Sequence, residues 1–299
     1  MSGSHRSGTV VIAGRPNAGK STLFNALVGQ KLSIVTPRPQ TTRHRIQGVI
    51  TRPDWQLVML DAPGAEPAAG NALAQAMNRA AVAAIAGADA AILVVAGPRW
   101  NPGDATALAA LCAARLPIVL AVNKIDRVRP RERLLPFLEA CARRHDFAAI
   151  VPVSALRAEN LGRLERAVAA LVPESPPAYP ADAVTDRSER FLAAEALREQ
   201  LMIALRDELP YDIAVEVERF EDRPNGRTEI DAVIWVERPG QRRIVIGTGG
   251  ARLKAIGSRA RLALNERLGR RVHLATWVRV RQGWSDDPGM LRRLGHEAT

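Results

Sequence analysis

The sequence is poor in cysteine, histidine and aromatic residues, and it has no long apolar run. Among 299 residues the two cysteines, Cys112 and Cys141, match no metal-binding or C-x-x-C spacing, which excludes a disulfide framework and suits a reducing compartment. The five histidines are scattered, so a histidine-based metal site is not expected. No stretch approaches the roughly eighteen apolar residues of a membrane span, and the polar opening MSGSHRSG is not a signal peptide. We therefore expect a cytoplasmic protein.

Acidic residues are also scarce relative to basic ones. The 42 lysines and arginines exceed the 31 acidic residues and give a formal net charge of +11, which favours a polyanionic partner, either nucleic acid or an acidic membrane face. The excess is concentrated between Gly240 and Arg271, where Glu266 is the sole acidic residue. The basic residues of this segment are Arg242, Arg243, Arg252, Lys254, Arg259, Arg261, Arg267, Arg270 and Arg271.

The length and ordinary globular composition predict two domains. From Thr9 to Val172, short apolar runs alternate with helical stretches, which indicates a doubly wound, mostly parallel α/β sheet. The predicted parallel strands are TVVIAG, WQLVML, AAILVV, LPIVLAV and AAIVPV, and HRIQGVITR is predicted to be an antiparallel edge strand beside WQLVML. Helices are predicted at Lys20–Val28, Asp104–Arg115 and Asn160–Leu171.

A proline-rich segment, PESPPAYPAD, ends this pattern at Pro173 and predicts a semi-rigid connector. We therefore expect a first domain at 1–172, a linker at 173–187 and an α+β second domain at 188–299. The elements predicted for the second domain are a helix at Ser188–Glu208, a strand at Asp212–Arg219, a turn at Pro224–Gly226, a strand at Glu229–Glu237, a helix at Ala251–Leu268 and a strand at Val272–Arg281.

The segment GRPNAGKS matches the phosphate-loop pattern G-x-x-x-x-G-K-[ST] and stands between a predicted strand and a predicted helix. Its glycines allow backbone N–H groups to surround phosphates, Lys20 reaches the β- and γ-phosphates, and Ser21 can ligate Mg²⁺. The residues expected to contact nucleotide are Gly14, Arg15, Pro16, Asn17, Ala18, Gly19, Lys20, Ser21 and Thr22.

The tetrapeptide DAPG, Asp61 to Gly64, follows the apolar run LVML, so Asp61 is expected at the carboxyl end of a strand beside the phosphate loop. Its carboxylate can hold Mg²⁺, and Gly64 allows a backbone N–H to approach the γ-phosphate. Ala62 and Pro63 lie between them and are predicted to border the nucleotide. Taken alone, such a turn is common.

The segments NKID and SAL predict which base is bound. The Asp126 carboxylate can accept both the N1–H and the exocyclic amine of guanine, whereas adenine would leave it unpaired, a mismatch of about 10⁴-fold in discrimination. Asn123 and Lys124 are expected to support the base, and SAL, which begins with Ser154, brings the N–H of Ala155 to the guanine oxygen. The predicted ligand is GTP.

A second glycine turn, GTGG, precedes a basic helix and lacks the Lys-Ser pair of a phosphate loop. Its G-x-x-G pattern permits close approach to the sugar-phosphate backbone of single-stranded nucleic acid, with unstacked bases lying in a groove formed by Ile244, Ile246 and Ile256. For Trp235 and Trp277, core packing is expected. The predicted RNA-binding residues are Ile246, Gly247, Thr248, Gly249, Gly250, Arg252 and Lys254.

These motifs, together with KLSIVTPRPQTTRHRIQG, VERPGQRRIVIGTGGARLKAIGSRAR and WVRVRQGWSDDPGMLRRLG, resemble the Era-like GTPase family, which ends in a type II KH domain. The resemblance spans Thr9 to Gly295. It implies that Thr42 ligates Mg²⁺ in the first switch, with Thr41 as the alternative. It also implies binding near the 3′ end of small-subunit ribosomal RNA, assistance to small-subunit assembly and peripheral association with the inner membrane. A monomer that does not bind DNA is expected.

The sequence departs from the resemblance at the catalytic position. Many GTPases place a glutamine directly after D-x-x-G, where its side chain orients the attacking water. Here that position is Ala65, followed by Glu66 and Pro67, and alanine has no side chain that can orient water. Slow intrinsic hydrolysis is therefore expected. The resemblance places Asn17 where related GTPases hold K⁺, whose charge would replace an arginine finger; a polar residue that merely shapes the loop is the alternative. The predicted catalytic residues are Asn17, Lys20, Thr42 and Gly64.

Two functions therefore remain open. The first is a GTP-hydrolysing switch whose nucleotide state alters RNA binding. The second is an RNA-binding assembly protein that holds nucleotide as a structural element with negligible turnover.

Overall fold

The computed structural model describes residues 5–38, 41–64, 71–205 and 212–296. These residues form two compact units. The first unit contains the described residues up to 33 and those within 37–64 and 78–186. The second contains residues 34–36, 71–77 and the described residues from 187 onwards.

The first unit is built on a six-stranded sheet with strand order β2-β3-β1-β4-β5-β6. Its strands are β1 Arg6–Ala13, β2 Ile46–Arg52, β3 Trp55–Asp61, β4 Ala90–Ala96, β5 Ile118–Asn123 and β6 Ala149–Pro152. Neighbouring strands are parallel except for β2, which runs antiparallel to β3 at the edge. The predicted doubly wound, mostly parallel sheet with an antiparallel edge strand is confirmed.

In the described part of the first half of the chain, five helices alternate with these strands: α1 Lys20–Val28, α2 Ala72–Ala86, α3 Pro102–Ala113, α4 Leu134–Ala142 and α5 Leu161–Ala169. Helix α2 begins in the second unit and continues into the first at residue 78. The central strands are apolar on both faces because helices cover both, and β4 and β5 are almost completely buried. Because β1, β3 and β5 run in the same direction, their carboxyl ends lie at the same end of the sheet. The chain leaves these strands at Gly14, Ala62 and Lys124.

The second unit has a three-stranded sheet, β7 Ile213–Asp222, β8 Arg227–Val236 and β9 Arg271–Val280, in the order β7-β8-β9. Strand β8 is antiparallel to β7 and parallel to β9. The helices are α6 Glu189–Ala204, α7 Pro239–Ile246, α8 Ala251–Leu268 and α9 Pro288–Arg293. The order α6-β7-β8-α7-α8-β9 confirms the predicted type II KH fold. Across the residues with described coordinates, every helix is too short or too polar to cross a membrane.

Helices α6 and α8 cover one face of the second sheet. Leu197 and Leu201 of α6 and Ile256 and Leu264 of α8 are fully buried against Ile234 and its neighbours in one apolar core. Helix α7 begins with Pro239, which suits the first helical position because its missing N–H needs no partner there. The predicted end of α6 at Glu208 lies outside the described residues.

Two short segments from the first half of the sequence belong to the second unit. The N–H of Val35 donates to Oε1 of the buried Glu199 at 2.9 Å. The N–H of Ala72, at the start of α2, donates to Oδ1 of Asp286 at 2.9 Å. An apolar cluster joins Leu73, Met77, Ala214, Trp284, Met290 and Leu291. Residues 34–36 and 71–77 are therefore anchored to the rest of the second unit, which is called the KH unit below.

Most of the proline-rich connector packs on the first unit. The N–H of Ser7 donates to the carbonyl of Pro173 at 3.1 Å. The N–H groups of Ala178 and Tyr179 both donate to Oε1 of the buried Gln56, at 2.8 and 2.9 Å. By their contacts, residues 173–186 belong to the first unit. The division into domains at 1–172 and 188–299 stays a prediction.

Candidate nucleotide site and nucleic-acid interface

The phosphate loop joins β1 to α1 and depends on two glycines. Gly14 has φ +145° and Gly19 has φ +101°, a region that side chains rarely adopt. A Cβ at Gly14 would lie 2.4 Å from the carbonyl oxygen of Val94, and one at Gly19 would lie 2.4 Å from Nδ2 of Asn123. The chain at both positions is therefore packed too closely for any other residue.

The amine of Lys20 lies within this loop. Its Nζ donates to the carbonyl oxygens of Gly14 at 2.9 Å and Arg15 at 3.2 Å. Burial lowers the pKa of Lys20, while the nearby Asp61 raises it. A desolvated ammonium group held beside a helix N-terminus is suited to bind phosphate oxygens, because both favour negative charge there.

We expect Gly19→Ala to weaken GTP binding by roughly 10- to 100-fold, since backbone strain of about 1–3 kcal/mol would add to displacement of Asn123. Isothermal titration with GTP measures this loss. Gly29→Ala is the matched control, because Gly29 also has positive φ, +78°, yet no atom lies within 4 Å of an added Cβ. The Gly29→Ala variant should lose stability but keep its GTP affinity. Equal losses of GTP affinity in the two variants would contradict the prediction.

The side chains of Ser21, Thr42 and Asp61, each of which carries oxygen, lie together at the predicted magnesium site. Oγ of Ser21 lies 2.9 Å from Oγ1 of Thr42, which donates to Oδ2 of Asp61 at 3.4 Å. Thr41 turns away, because its hydroxyl donates to the carbonyl of Arg38 at 2.8 Å. The sequence left Thr41 and Thr42 as alternative magnesium ligands. In the structure Thr42 lies beside Ser21 and Asp61, whereas the Thr41 hydroxyl is bonded elsewhere.

Asp61 fits a divalent cation. It is completely buried, and its Oδ1 has no hydrogen-bond partner among the described residues. Burial raises the pKa of Asp61, although the hydrogen bonds from Ser33 and Thr42 and the charge of Lys20 oppose that rise. Hydroxyl and carboxylate oxygens are the ligands that Mg²⁺ prefers, and an unpaired buried carboxylate oxygen is costly without a cation. The residues present therefore suit Mg²⁺.

The rest of DAPG approaches the phosphate loop. Ala62 and Pro63 are buried, and an added Cβ at Gly64 would lie 4.0 Å from Cγ of Pro16. Gly64 is thus near the loop that the sequence predicts to hold phosphates. Ala65, Glu66 and Pro67, which prompted the expectation of slow hydrolysis, lie outside the described residues.

Asn123 forms hydrogen bonds to the phosphate loop, to NKID and to SAL, where the guanine base is predicted to bind. Its Nδ2 donates to the carbonyl of Ala18 at 3.1 Å, while its Oδ1 accepts from the N–H groups of Lys124 at 2.8 Å and Ala155 at 3.0 Å. Nζ of Lys124 donates to the carbonyl of Asn17 at 2.5 Å. The phosphate loop, NKID and SAL therefore form one connected site, and the Ala155 N–H, which was expected to reach guanine, contacts Asn123.

Asp126 is positioned by the neighbouring SAL segment. Oγ of the buried Ser154 donates to Oδ1 of Asp126 at 2.7 Å, and Asp126 itself remains half-exposed. The charge of Asp126 also acts on Lys124, whose pKa is lowered by burial and by Arg127 and Arg15 but raised by this carboxylate. A held yet accessible carboxylate can accept the two N–H groups of guanine.

Sequence patterns did not identify an ion pair that supports the phosphate loop. Nε of Arg15 lies 3.2 Å from Oδ1 of Asp104, which is completely buried at the start of α3. The other Asp104 oxygen accepts from the N–H of Asn101 at 2.9 Å and so caps the same helix. Asp104 belongs to no motif, and the sequence offered only its helix-capping position as a signal.

The second glycine turn connects α7 to α8. Gly247, Gly249 and Gly250 have φ of +73°, +56° and +79°. A Cβ at Gly247 would lie 2.6 Å from Cβ of Arg252, whereas Gly249 and Gly250 face open space. Thr248 is exposed, so the tip of the turn presents backbone and a hydroxyl to solvent.

An open groove of about 330 Å³ runs beside this turn. Its lining residues are Gly250, Leu253, Lys254, Gly257, Ser258, Arg261, Leu274 and Thr276. Lys254 and Arg261 supply positive charge, Leu253 and Leu274 supply apolar surface, and the small residues leave room. Nη1 of Arg252 instead donates to the carbonyl of Ile244 at 2.9 Å. Six of these eight lining residues were not among the predicted RNA-binding residues: four lie on α8, and two, Leu274 and Thr276, lie on β9.

Two expectations about apolar residues were wrong. Ile256 was expected to line the groove, but it is fully buried in the core. Ile244 and Ile246 pack against the same core and are partly exposed, so their place in the groove stays a prediction. Trp277 was expected in the core but is 45% exposed. Trp235 does pack against an apolar cluster, and its Nε1 donates to Oε2 of Glu216 at 2.9 Å.

Comparison with known families finds a match for each part of the chain. The family described as "50S ribosome-binding GTPase" matches residues 9–124, and the KH domain family matches residues 208–285. GTPase Era of Stenotrophomonas maltophilia (strain K279a) is 52% identical over 293 residues, covering 98% of each chain. GTPase Era of Xanthomonas oryzae pv. oryzae (strain MAFF 311018) has the same identity and coverage.

Two solved Era structures match 98% of this chain and 100% of their own, each with a TM-score of 0.93. One is an Aquifex aeolicus Era variant bound to GDP and AlF4⁻, at 35% identity. The other, at 36% identity, is Era in complex with MgGDPNP and nucleotides 1506–1542 of 16S ribosomal RNA. Similarity of this extent covers the GTPase half and the KH half alike. The protein is a GTPase, and the chain belongs to the Era family of GTPases.

Proposed function

We propose that this protein is a GTP-hydrolysing switch that binds small-subunit ribosomal RNA near its 3′ end and assists small-subunit assembly. The observation that carries the RNA assignment is the groove beside the glycine turn, where Lys254 and Arg261 flank small and apolar residues. Unstacked bases need such a groove, and phosphates need those cations. The Era structure containing nucleotides of 16S RNA supports the choice of RNA over DNA.

GTP is the proposed substrate, with its phosphates in the loop from Gly14 to Thr22 and its base beside Asp126. Ser21, Thr42 and Asp61 would hold Mg²⁺, which neutralises charge between the β- and γ-phosphates when bound. Lys20 stabilises the charge that develops on the phosphate oxygens. The Gly64 N–H donates to the γ-phosphate, and Thr42 and Gly64 together sense whether that phosphate is present.

The two anchored segments, residues 34–36 and 71–77, provide a route by which the bound nucleotide can affect the KH unit. Residues 34–36 precede Thr42 in the chain, and residues 71–77 follow Gly64, yet both contact KH residues through Glu199, Asp286 and Trp284. When the γ-phosphate orders Thr42 and Gly64, the chain on either side is constrained as well. We infer that nucleotide state alters RNA affinity through these two segments.

Measuring turnover tests the catalytic assignment against the alternative in which nucleotide is only structural. The full chain is assayed for GTP hydrolysis with and without a 16S 3′-end fragment. Multiple turnovers of GTP, but not of ATP, support the proposal; binding with negligible turnover in both conditions supports the alternative. A 23S fragment is included as a competitor, because one matching family is described as binding the 50S subunit.

Potassium is a proposed activator through Asn17, an exposed loop residue with φ +60°. We expect hydrolysis to be about tenfold or more faster in KCl than in NaCl, because a cation beside the phosphates stabilises developing negative charge. Asn17→Ala should abolish the difference. Asn160→Ala is the control, since Asn160 is also exposed with φ +63°. Stimulation that survives in Asn17→Ala would contradict this role.

We further propose a cytoplasmic monomer that contacts the inner membrane peripherally. The support is the net charge of +11, which would attract an anionic leaflet. Flotation with anionic and neutral vesicles tests the membrane contact, and sedimentation equilibrium tests the monomer. Equal flotation with both vesicle types, or none with either, would remove the membrane proposal.

A further inference from the structure

A buried serine that belongs to no nucleotide-binding motif contacts the proposed magnesium ligand. Oγ of Ser33 donates to Oδ2 of Asp61 at 2.7 Å. Ser33 is 2% exposed and Asp61 is completely buried, so water cannot replace this hydrogen bond without rearrangement. Their separation in sequence, 28 residues, explains why no local pattern revealed the pair.

Asn25 fixes the backbone on both sides of this serine. Its Oδ1 accepts from the N–H groups of Leu32 at 3.0 Å and Ser33 at 2.9 Å, and its Nδ2 donates to the carbonyl of Ser33 at 2.7 Å. Asn25 lies on α1 four residues after Ser21, so both side chains occupy the same face of that helix. One helix face therefore presents a proposed magnesium ligand and the residue that holds Ser33.

The hydrogen bonds to Asp61 are unequally divided between its two oxygens. Oδ2 accepts from Ser33 at 2.7 Å and from Thr42 at 3.4 Å. Oδ1 has no hydrogen-bond partner within the described part of the chain, although it is buried. A carboxylate held through one oxygen cannot rotate freely, so its other oxygen is kept in a fixed direction.

We propose that Ser33, held by Asn25, is a positioning residue that orients Asp61 so that Oδ1 can coordinate Mg²⁺ beside Ser21 and Thr42. The inference rests on the proposed magnesium site. It adds a residue that acts through Asp61 and does not itself touch nucleotide or metal. Groups that orient metal ligands in this way contribute about 10- to 100-fold in metal affinity.

The experiment follows release of a fluorescent GDP derivative, mant-GDP, from the full chain as free Mg²⁺ is varied. For Ser33→Ala we expect the Mg²⁺ concentration at half-maximal retention to rise by about 10- to 100-fold. The release rate in EDTA should match that of the unsubstituted protein, because the defect concerns the metal alone. An unchanged midpoint, or faster release already in EDTA, would overturn the proposal.

Two further variants separate positioning from general loss of structure. Asn25→Asp keeps the acceptor oxygen but loses the donor to the Ser33 carbonyl, so its midpoint should shift in the same direction and by less. Combining it with Ser33→Ala should add little, because both act through Asp61. Additive shifts would contradict that shared route.

Ser7→Ala is the matched control. Ser7 is also a buried serine of the first unit, but it lies near the start of β1, whereas the phosphate loop follows the end of that strand. Its midpoint should not move. If the unsubstituted protein itself retained mant-GDP equally well at every Mg²⁺ concentration, the proposed magnesium site would fail; if only Ser33→Ala were unaffected, the positioning role alone would fail.

Discussion

Replacing Asp126 by asparagine is expected to weaken GTP binding by about 10⁴-fold and to create binding of xanthosine triphosphate. The carboxylate offers acceptors to both the N1–H and the exocyclic amine of guanine. An asparagine amide would oppose one of these donors with its own N–H₂ group, whereas xanthine has a carbonyl at that position and accepts from it. Ser154 holds Oδ1 of Asp126 at 2.7 Å, so the new side chain would be held in a similar place.

Calorimetric titration with GTP, xanthosine triphosphate and ATP measures this exchange of specificity. Asp54→Asn is the control, since Asp54 lies exposed in the turn between β2 and β3 and the charge change is identical. GTP affinity within tenfold of the original in Asp126→Asn, or no gain for xanthosine triphosphate, would show that another residue selects the base.

The double substitution Thr248→Asp with Gly249→Asp is expected to weaken binding of a 16S 3′-end fragment by about 100-fold or more, since like charges in an interface cost several kcal/mol. Both positions are exposed, and an added Cβ at Gly249 meets no atom within 4 Å. Aspartate also tolerates the positive φ found there. The loop should therefore keep its shape while repelling phosphates, and GTP hydrolysis without RNA should be unchanged.

Fluorescence anisotropy with a labelled RNA fragment measures the loss. The control replaces the same two residues by asparagine, which has the shape of aspartate without its charge. RNA affinity should fall far less in that variant. Equal losses in the two double variants would mean that the side chains obstruct the loop, and no loss in either would place the RNA elsewhere.

The sequence was most informative where ligand chemistry constrains neighbouring residues. Helix α1, Lys20–Val28, has the bounds that the phosphate-loop motif predicted, and Asp61 and Asn123 end their strands as expected. Helix α7 was harder to predict because Ile244, Val245 and Ile246 form an apolar run too short for its period to be determined. Motifs therefore located the nucleotide site, whereas periodicity did not identify all of the KH elements.

Residues whose role depends on distant contacts were not predicted. Ile256 and Lys254 both lie on α8, and only the packing of that helix against the β7–β9 sheet shows that Ile256 enters the core while Lys254 faces the groove. The exposure of Trp277 likewise follows from its place on β9, because it lies on the face opposite the core residues Val272 and Val278. Ser33 and Asp104 are recognisable as functional only after folding brings them to Asp61 and Arg15.

The central claim, that nucleotide state governs RNA binding, is tested most directly by measuring the affinity of the full chain for a single-stranded 16S 3′-end fragment in two states. One sample is saturated with Mg²⁺ and a non-hydrolysable GTP analogue, and the other with Mg²⁺ and GDP. We predict at least about fivefold tighter RNA binding in the GTP-analogue state, a typical minimum for coupling between two sites. Equal affinity in the two states would contradict the claim, even if each ligand alone binds as proposed.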